Sequence, residues 1–157
     1  MKYTDTQITF SEFPDEISLC INISNCPFHC SGCHSPELWK DVGVELNKFV
    51  LKGLINANKG ITLIGFMGGV PSQINELAQF VKQHSIKVGW YWGGDSIPKE
   101  INPNFFDYIK IGRYIEEKGP LNNSNTNQRI YKHTISENSY IEGLGLCWKD
   151  ITNKFWK

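Results

Sequence analysis

The sequence has no excess charge of either sign, with 16 Lys and Arg against 16 Asp and Glu in 157 residues. A basic excess supplies most of the affinity in nucleic-acid binding, so a DNA- or RNA-binding role is disfavoured. Long hydrophobic runs are missing too. The longest nearly apolar stretch, Ile61 to Val70, is 10 residues and includes Gly68-Gly69, against the roughly 20 that cross a bilayer. No membrane span is expected. Met1-Lys2-Tyr3-Thr4-Asp5 leads into polar residues without the apolar segment of a secretion signal, and the last residues carry no lipidation box. The expected location is the cytoplasm. Neither a repeat nor a linker divides the chain, and a domain of this length buries about 68 to 70% of its unfolded surface. One domain over residues 1–157 is expected, with a polar tail from about residue 122. At 40% hydrophobic and 13% aromatic residues, the composition is that of a chain with a core rather than a disordered one.

Cysteine is scarce but concentrated: of Cys20, Cys26, Cys30, Cys33 and Cys147, three fall within eight residues. An odd number in a chain without a secretion signal argues against a disulfide framework and for metal or redox chemistry.

Ile17 to Ile23 alternates apolar with small or polar residues, the period-2 mark of a half-buried strand. After the cysteine loop, Leu46, Phe49, Val50 and Leu54 recur at helical spacing, and Gly60 closes that stretch before a second strand, 61–66. Ser72 can cap the next helix, whose Ile74, Leu77, Ala78 and Val81 form one apolar stripe. Strands are expected at 86–92 and 107–112, with Pro98 and Pro103 between them. Alternating strands and helices imply an α/β fold with parallel pairing. At about 30 residues per βα unit the chain allows roughly five units, short of the eight in a closed barrel. The expected fold is therefore an open, partial (βα) barrel with a parallel sheet. The tail reads as loop, a hairpin around Ser136 to Ser139, and a short terminal helix holding Phe155 and Trp156. Such sheets bind ligands at the carboxyl ends of their strands, where both the cysteine loop and Gly68-Gly69 fall.

Cys26-Pro27-Phe28-His29-Cys30-Ser31-Gly32-Cys33 is a C-x3-C-x2-C triad. Three closely spaced thiolates can close around one compact centre, and soft sulfur donors select iron-sulfur clusters, zinc or copper(I). A four-iron cluster on three cysteines would leave one iron open to an outside ligand. A zinc site completed by His29 or His34 is the structural alternative. Cys20 and Cys147 read as packed thiols, and His84 and His133 as capping or solvated groups. Trp39, Trp90 and Trp92 read as core or rim aromatics, and Glu116-Glu117-Lys118 as a solvated charge run.

The triad after a first strand resembles the signature of the radical S-adenosylmethionine (SAM) enzymes. Asn25 to Trp39, Phe66-Met67-Gly68-Gly69, Gly89-Trp90-Tyr91, Phe106 to Gly112, Tyr114-Ile115-Glu116-Glu117 and Thr126-Asn127-Gln128-Arg129 extend the resemblance to the small anaerobic ribonucleoside-triphosphate reductase activating proteins. That resemblance implies a radical SAM type of partial barrel. It implies that Cys26, Cys30 and Cys33 bind a [4Fe-4S] cluster whose fourth iron is chelated by SAM. Main chain at Gly32, Cys33 and His34 would line the adenine, and Gly68-Gly69 would approach the SAM amino group. The implied partners are the large subunit of anaerobic ribonucleotide reductase and an external one-electron donor. The family follows its glycine pair with an acidic residue, whereas this sequence has Val70. Gly93-Gly94-Asp95 has the missing pattern but follows the third strand, and reads as a turn. A different glycyl-radical activase, or a non-catalytic zinc or iron-sulfur module, are the alternative functions.

Overall fold

The computed structural model describes residues 1–136 and 138–157. Its strands are β1 (Lys2–Thr9), β2 (Ser18–Ile23), β3 (Val44–Glu45), β4 (Leu63–Met67), β5 (Lys87–Tyr91), β6 (Tyr108–Ile111), β7 (Arg129–His133), β8 (Tyr140–Ile141), β9 (Gly145–Leu146) and β10 (Trp148–Asp150). The helices are α1 (Lys48–Ala57) and α2 (Pro71–Lys82). One eight-stranded sheet runs in the order β10-β7-β6-β5-β4-β2-β1-β3, and β8 pairs with β9 apart from it.

The expected open partial (βα) barrel of about five units with a parallel sheet is overturned. The sheet is mixed: β2, β4, β5 and β6 pair in parallel, while β1, β3, β7 and β10 join antiparallel. Among the described residues only two α-helices are present. Dividing chain length by a βα unit assumes that each strand is followed by a helix. After β5 the connection carries Pro98 and Pro103 and forms only a 3-10 turn, Pro103–Phe105. After β6 it carries Gly112, Gly119 and Pro120 and forms another, Glu116–Lys118. Proline and glycine remove the hydrogen bonds and rigidity a helix needs, so β5 crosses to its parallel neighbour β6 without a helix and after β6 the chain returns antiparallel as β7.

Both helices contribute to one core. Leu51 and Ile55 of α1 and Ile74, Leu77, Ala78 and Val81 of α2 pack with Leu19, Ile21, Ile64, Phe66, Val88 and Trp90. The α2 stripe is the one its spacing predicts. In α1 the phase differs, since Phe49 is 86% exposed while Leu51 and Ile55 turn inward. Nor does Ser72 cap α2: Val70 holds the N-cap position and Pro71 begins the helix, where the fixed φ of proline suits a first turn.

The opposite sheet face carries Cys20, Leu63, Tyr108 and Ile130 and is covered by Phe13 and Ile151. Phe13 sits where Gly65 and Gly89, register partners on β4 and β5, leave room. A Cβ at either glycine would lie 2.6 or 2.3 Å from that ring. Side chains there would expel Phe13, whose full burial stabilises by about 1.5–3 kcal/mol. Cys20 is a packed thiol, pushed up to about 12 by burial and then by the charge of Glu12.

The expected tail hairpin around Ser136 to Ser139 includes Glu137, which lies outside the described residues. The tail also adds β7 and β10 to the sheet, and its end is a 3-10 turn, Thr152–Phe155.

Candidate metal centre

The loop after β2 turns sharply because Asn25, His29 and Gly32 adopt positive φ of 61°, 43° and 69°. Residues Pro36–Trp39 form a 3-10 turn that folds back on the head of the loop. Asn25 N donates to Lys40 O and Cys26 N to Leu38 O, both at 3.0 Å. Within the loop, Cys33 N donates to Cys30 O at 3.1 Å, and Ser35 N donates to Cys33 Sγ at 3.4 Å. Backbone donors thus fix the loop, and of its thiols they engage Cys33 alone among the described residues.

Cys26, Cys30 and Cys33 are free, half-buried, and border one cavity of about 200 Å³ at the carboxyl ends of the parallel strands. Gly68 and Gly69 form part of the same wall. Their φ values, 101° and 104°, lie where side-chain-bearing residues are strained, so glycine is what allows this main chain to turn past the cavity. Gly68 N donates to Tyr91 O at 3.0 Å, and Trp90 Nε1 donates to Gly68 O at 2.9 Å.

Gly32 and His34, the other residues implied at the site, do not border this cavity. Gly32 lies beside the carboxylate of Glu116. His34 is tilted on Tyr114 with centroids 5.1 Å apart. His34 instead borders a neighbouring cavity of about 630 Å³, which shares Cys33, Ser35, Met67, Tyr91 and Tyr114 with the first. Val70 is 46% exposed and is not in the cysteine wall.

Lys110 was missed by sequence reasoning. It is only 7% exposed, borders the cysteine cavity, donates from Nζ to Gly112 O at 2.8 Å, and stands 5.8 Å from the Tyr91 ring centre. Burial pulls its pKa down to about 8, partly offset by the charge of Cys30. A lysine inside the apolar strand Tyr-Ile-Lys-Ile was the signal. Tyr91 is pushed well above the usual tyrosine range by burial and by Glu12.

The remaining matched segment is local structure. Gln128 N and Nε2 donate to Thr126 Oγ1, which donates to Gly119 O. Asn127 Nδ2 donates to Arg113 O, and Arg129 Nη1 donates to the carbonyls of Thr126 and Gln128, all at 3.0 Å. Together they hold the loop after β6 against the site.

Residues 17–141 match the family described as the 4Fe-4S single cluster domain. The chain belongs to that family. No curated protein and no solved structure matches it. The residues of this iron-sulfur domain fit a cluster of that kind. Soft thiolates are the donors iron-sulfur centres take, and three uncommitted ones share a single cavity. Among the described residues no three His, Cys, Asp or Glu side chains converge on a point that could hold one metal ion. Among the described residues no helix is long and apolar enough to cross a membrane.

Proposed function

We propose that this iron-sulfur domain is a radical SAM activating enzyme that installs a glycyl radical on the large subunit of anaerobic ribonucleotide reductase. The observation that carries the reading is the shared cavity of Cys26, Cys30, Cys33 and Gly68-Gly69, two motifs 35 residues or more apart in sequence. In this reading the three cysteines hold a [4Fe-4S] cluster and leave one iron without a protein ligand. When bound, the cluster supplies one electron, received from an external donor, that splits SAM into methionine and a 5′-deoxyadenosyl radical able to take a hydrogen atom from glycine.

The chain's own residues bind and orient. Gly68-Gly69 offers main chain where a side chain would block approach. Lys110, with a pKa near 8, is mostly protonated at pH 7 and favours an anionic ligand in the wall. Tyr91, Trp92 and Met67 present apolar surface that excludes water. The adjoining larger cavity, reached past Cys33 and Tyr114, offers a partner's glycine loop a route to the site. Zero formal net charge suits a protein partner better than a polyanion.

Anaerobic reconstitution tests the reading. The expected result is about four irons per chain, 5′-deoxyadenosine released on reduction with SAM, and a glycyl signal in electron paramagnetic resonance (EPR) on the reductase subunit. Cys30→Ala should lose all three. One zinc per chain, or four irons with no nucleoside product, would overturn the activase. A glycyl signal on a formate-lyase-like partner alone would reassign the substrate.

A further inference from the structure

Trp39 carries an unexplained feature of the cysteine cavity. It borders that cavity, and the bonds from Asn25 N to Lys40 O and from Cys26 N to Leu38 O tie down the residues on either side of it. Its indole stacks on His29, with centroids 4.9 Å apart and planes at 20°. The ring is therefore fixed beside the first cysteine of the triad. Its Nε1–H is buried, and among the described residues no atom accepts from it.

The neighbouring indoles behave differently. Trp90 Nε1 donates to Gly68 O at 2.9 Å and Trp92 Nε1 to Ser96 O at 3.1 Å. Among the described residues two other buried side-chain polar atoms lack partners, Ser18 Oγ and Asn127 Oδ1, but neither residue borders this cavity. A buried donor without an acceptor is costly and rare enough to need a reason. In the wall of a ligand cavity, an acceptor that arrives with the ligand would satisfy it. The thiols do not supply it: Cys33 Sγ accepts from Ser35 N, and no sulfur of the loop lies within bonding reach of the indole.

We propose that Trp39 Nε1–H donates a hydrogen bond to an inorganic sulfide of the bound [4Fe-4S] cluster and raises its reduction potential. The proposal rests on Cys26, Cys30 and Cys33 holding the cluster, and is independent of SAM cleavage. A hydrogen bond to sulfur offsets the negative charge added on reduction, which is how outer partners tune such centres.

The test is an EPR-monitored redox titration of the reconstituted full chain without SAM. Trp39→Phe keeps an aromatic ring against His29 and removes the N–H. Trp39 replaced by benzothienylalanine keeps the bicyclic shape with sulfur in place of N–H. Both should retain the iron of the wild type. At the wild-type midpoint, both should show an about tenfold lower ratio of reduced to oxidised cluster, the effect of one lost hydrogen bond, a fall of about 59 mV for one electron. An unchanged midpoint in the isostere, whatever the phenylalanine variant does, overturns the proposal because only ring packing would then matter. A folded isostere that takes up no iron also overturns a tuning role. Absence of iron from the wild type would defeat the assignment of the cluster site itself, and the iron count separates that failure from the others.

Discussion

The two ends of the parallel strands treat buried polarity in opposite ways. At the amino ends, Glu16 is 4% exposed and fully engaged: Thr62 Oγ1 donates to it at 2.7 Å, Lys87 Nζ at 2.6 Å and Tyr108 OH at 3.3 Å. Asp107 accepts from Lys82 Nζ and from Val88 N. Of the buried polar atoms at this end, Ser18 Oγ lacks a partner. At the carboxyl ends, three thiols are free, the Trp39 N–H has no acceptor among the described residues, and Lys110 is held by one carbonyl in an apolar wall. Satisfied groups at one end fasten β2, β4, β5 and β6 together. Groups left short of partners at the other are what a ligand can recruit.

Substitutions should separate the two ends. Cys30→Ala should abolish iron uptake while moving the stability of the apo-protein by no more than about 0.5 kcal/mol, read by iron analysis and thermal unfolding. A folded variant that keeps its iron would break the comparison. Lys110 comes next. Its folded pKa, about 8, lies below the unfolded value of about 10.4, so between those values the unfolded chain binds more protons and stability rises with pH. Below pH 8 the burial cost is fully present. Lys110→Met lacks this dependence, so the apo wild type should gain about 2 to 3 kcal/mol on the variant between pH 8 and pH 10.5. Parallel pH profiles in urea titrations would contradict that. Glu16→Ala should cost about 2 kcal/mol by stranding the partners of the carboxylate, a fall in Tm of about 4 to 8 °C, with iron content unchanged. Loss of iron in a folded Glu16 variant would show that the ends are coupled.

How much could be read in advance follows the same division. The four parallel strands were legible because their apolar runs are bounded by turn residues, and the cysteine and glycine motifs because each is local in sequence. β1 was not: Lys2 to Thr9 is largely polar, although its Tyr, Ile and three Thr residues are types that favour strands. In β7 only Ile130 is fully buried, so the strand hides in a polar tail. The fold class failed where Pro98, Pro103 and Pro120 deny the later connections their helices. Trp39 and Lys110 are short of partners for reasons that residues distant in sequence decide, and no spacing rule conveys that.

Val70 gives the smallest and most diagnostic test, since it stands at the N-cap of α2 with extended φ and ψ of −84° and 121°, yet valine has no oxygen to accept from the helix N–H groups. Val70→Asp supplies that oxygen and should stabilise by about 1 kcal/mol, raising Tm by about 2 to 4 °C. The same carboxylate would stand beside Gly69, where the radical SAM reading puts the SAM ammonium, and should tighten SAM binding. Val70→Asn caps nearly as well but carries no charge. If both variants gain stability and only aspartate lowers the Kd for SAM, the effect on binding is electrostatic and the assignment of Gly68-Gly69 is strengthened. Equal Kd values for wild type and Val70→Asp, with the Tm gain intact, would leave the residue a helix cap and count against an ammonium beside Gly69.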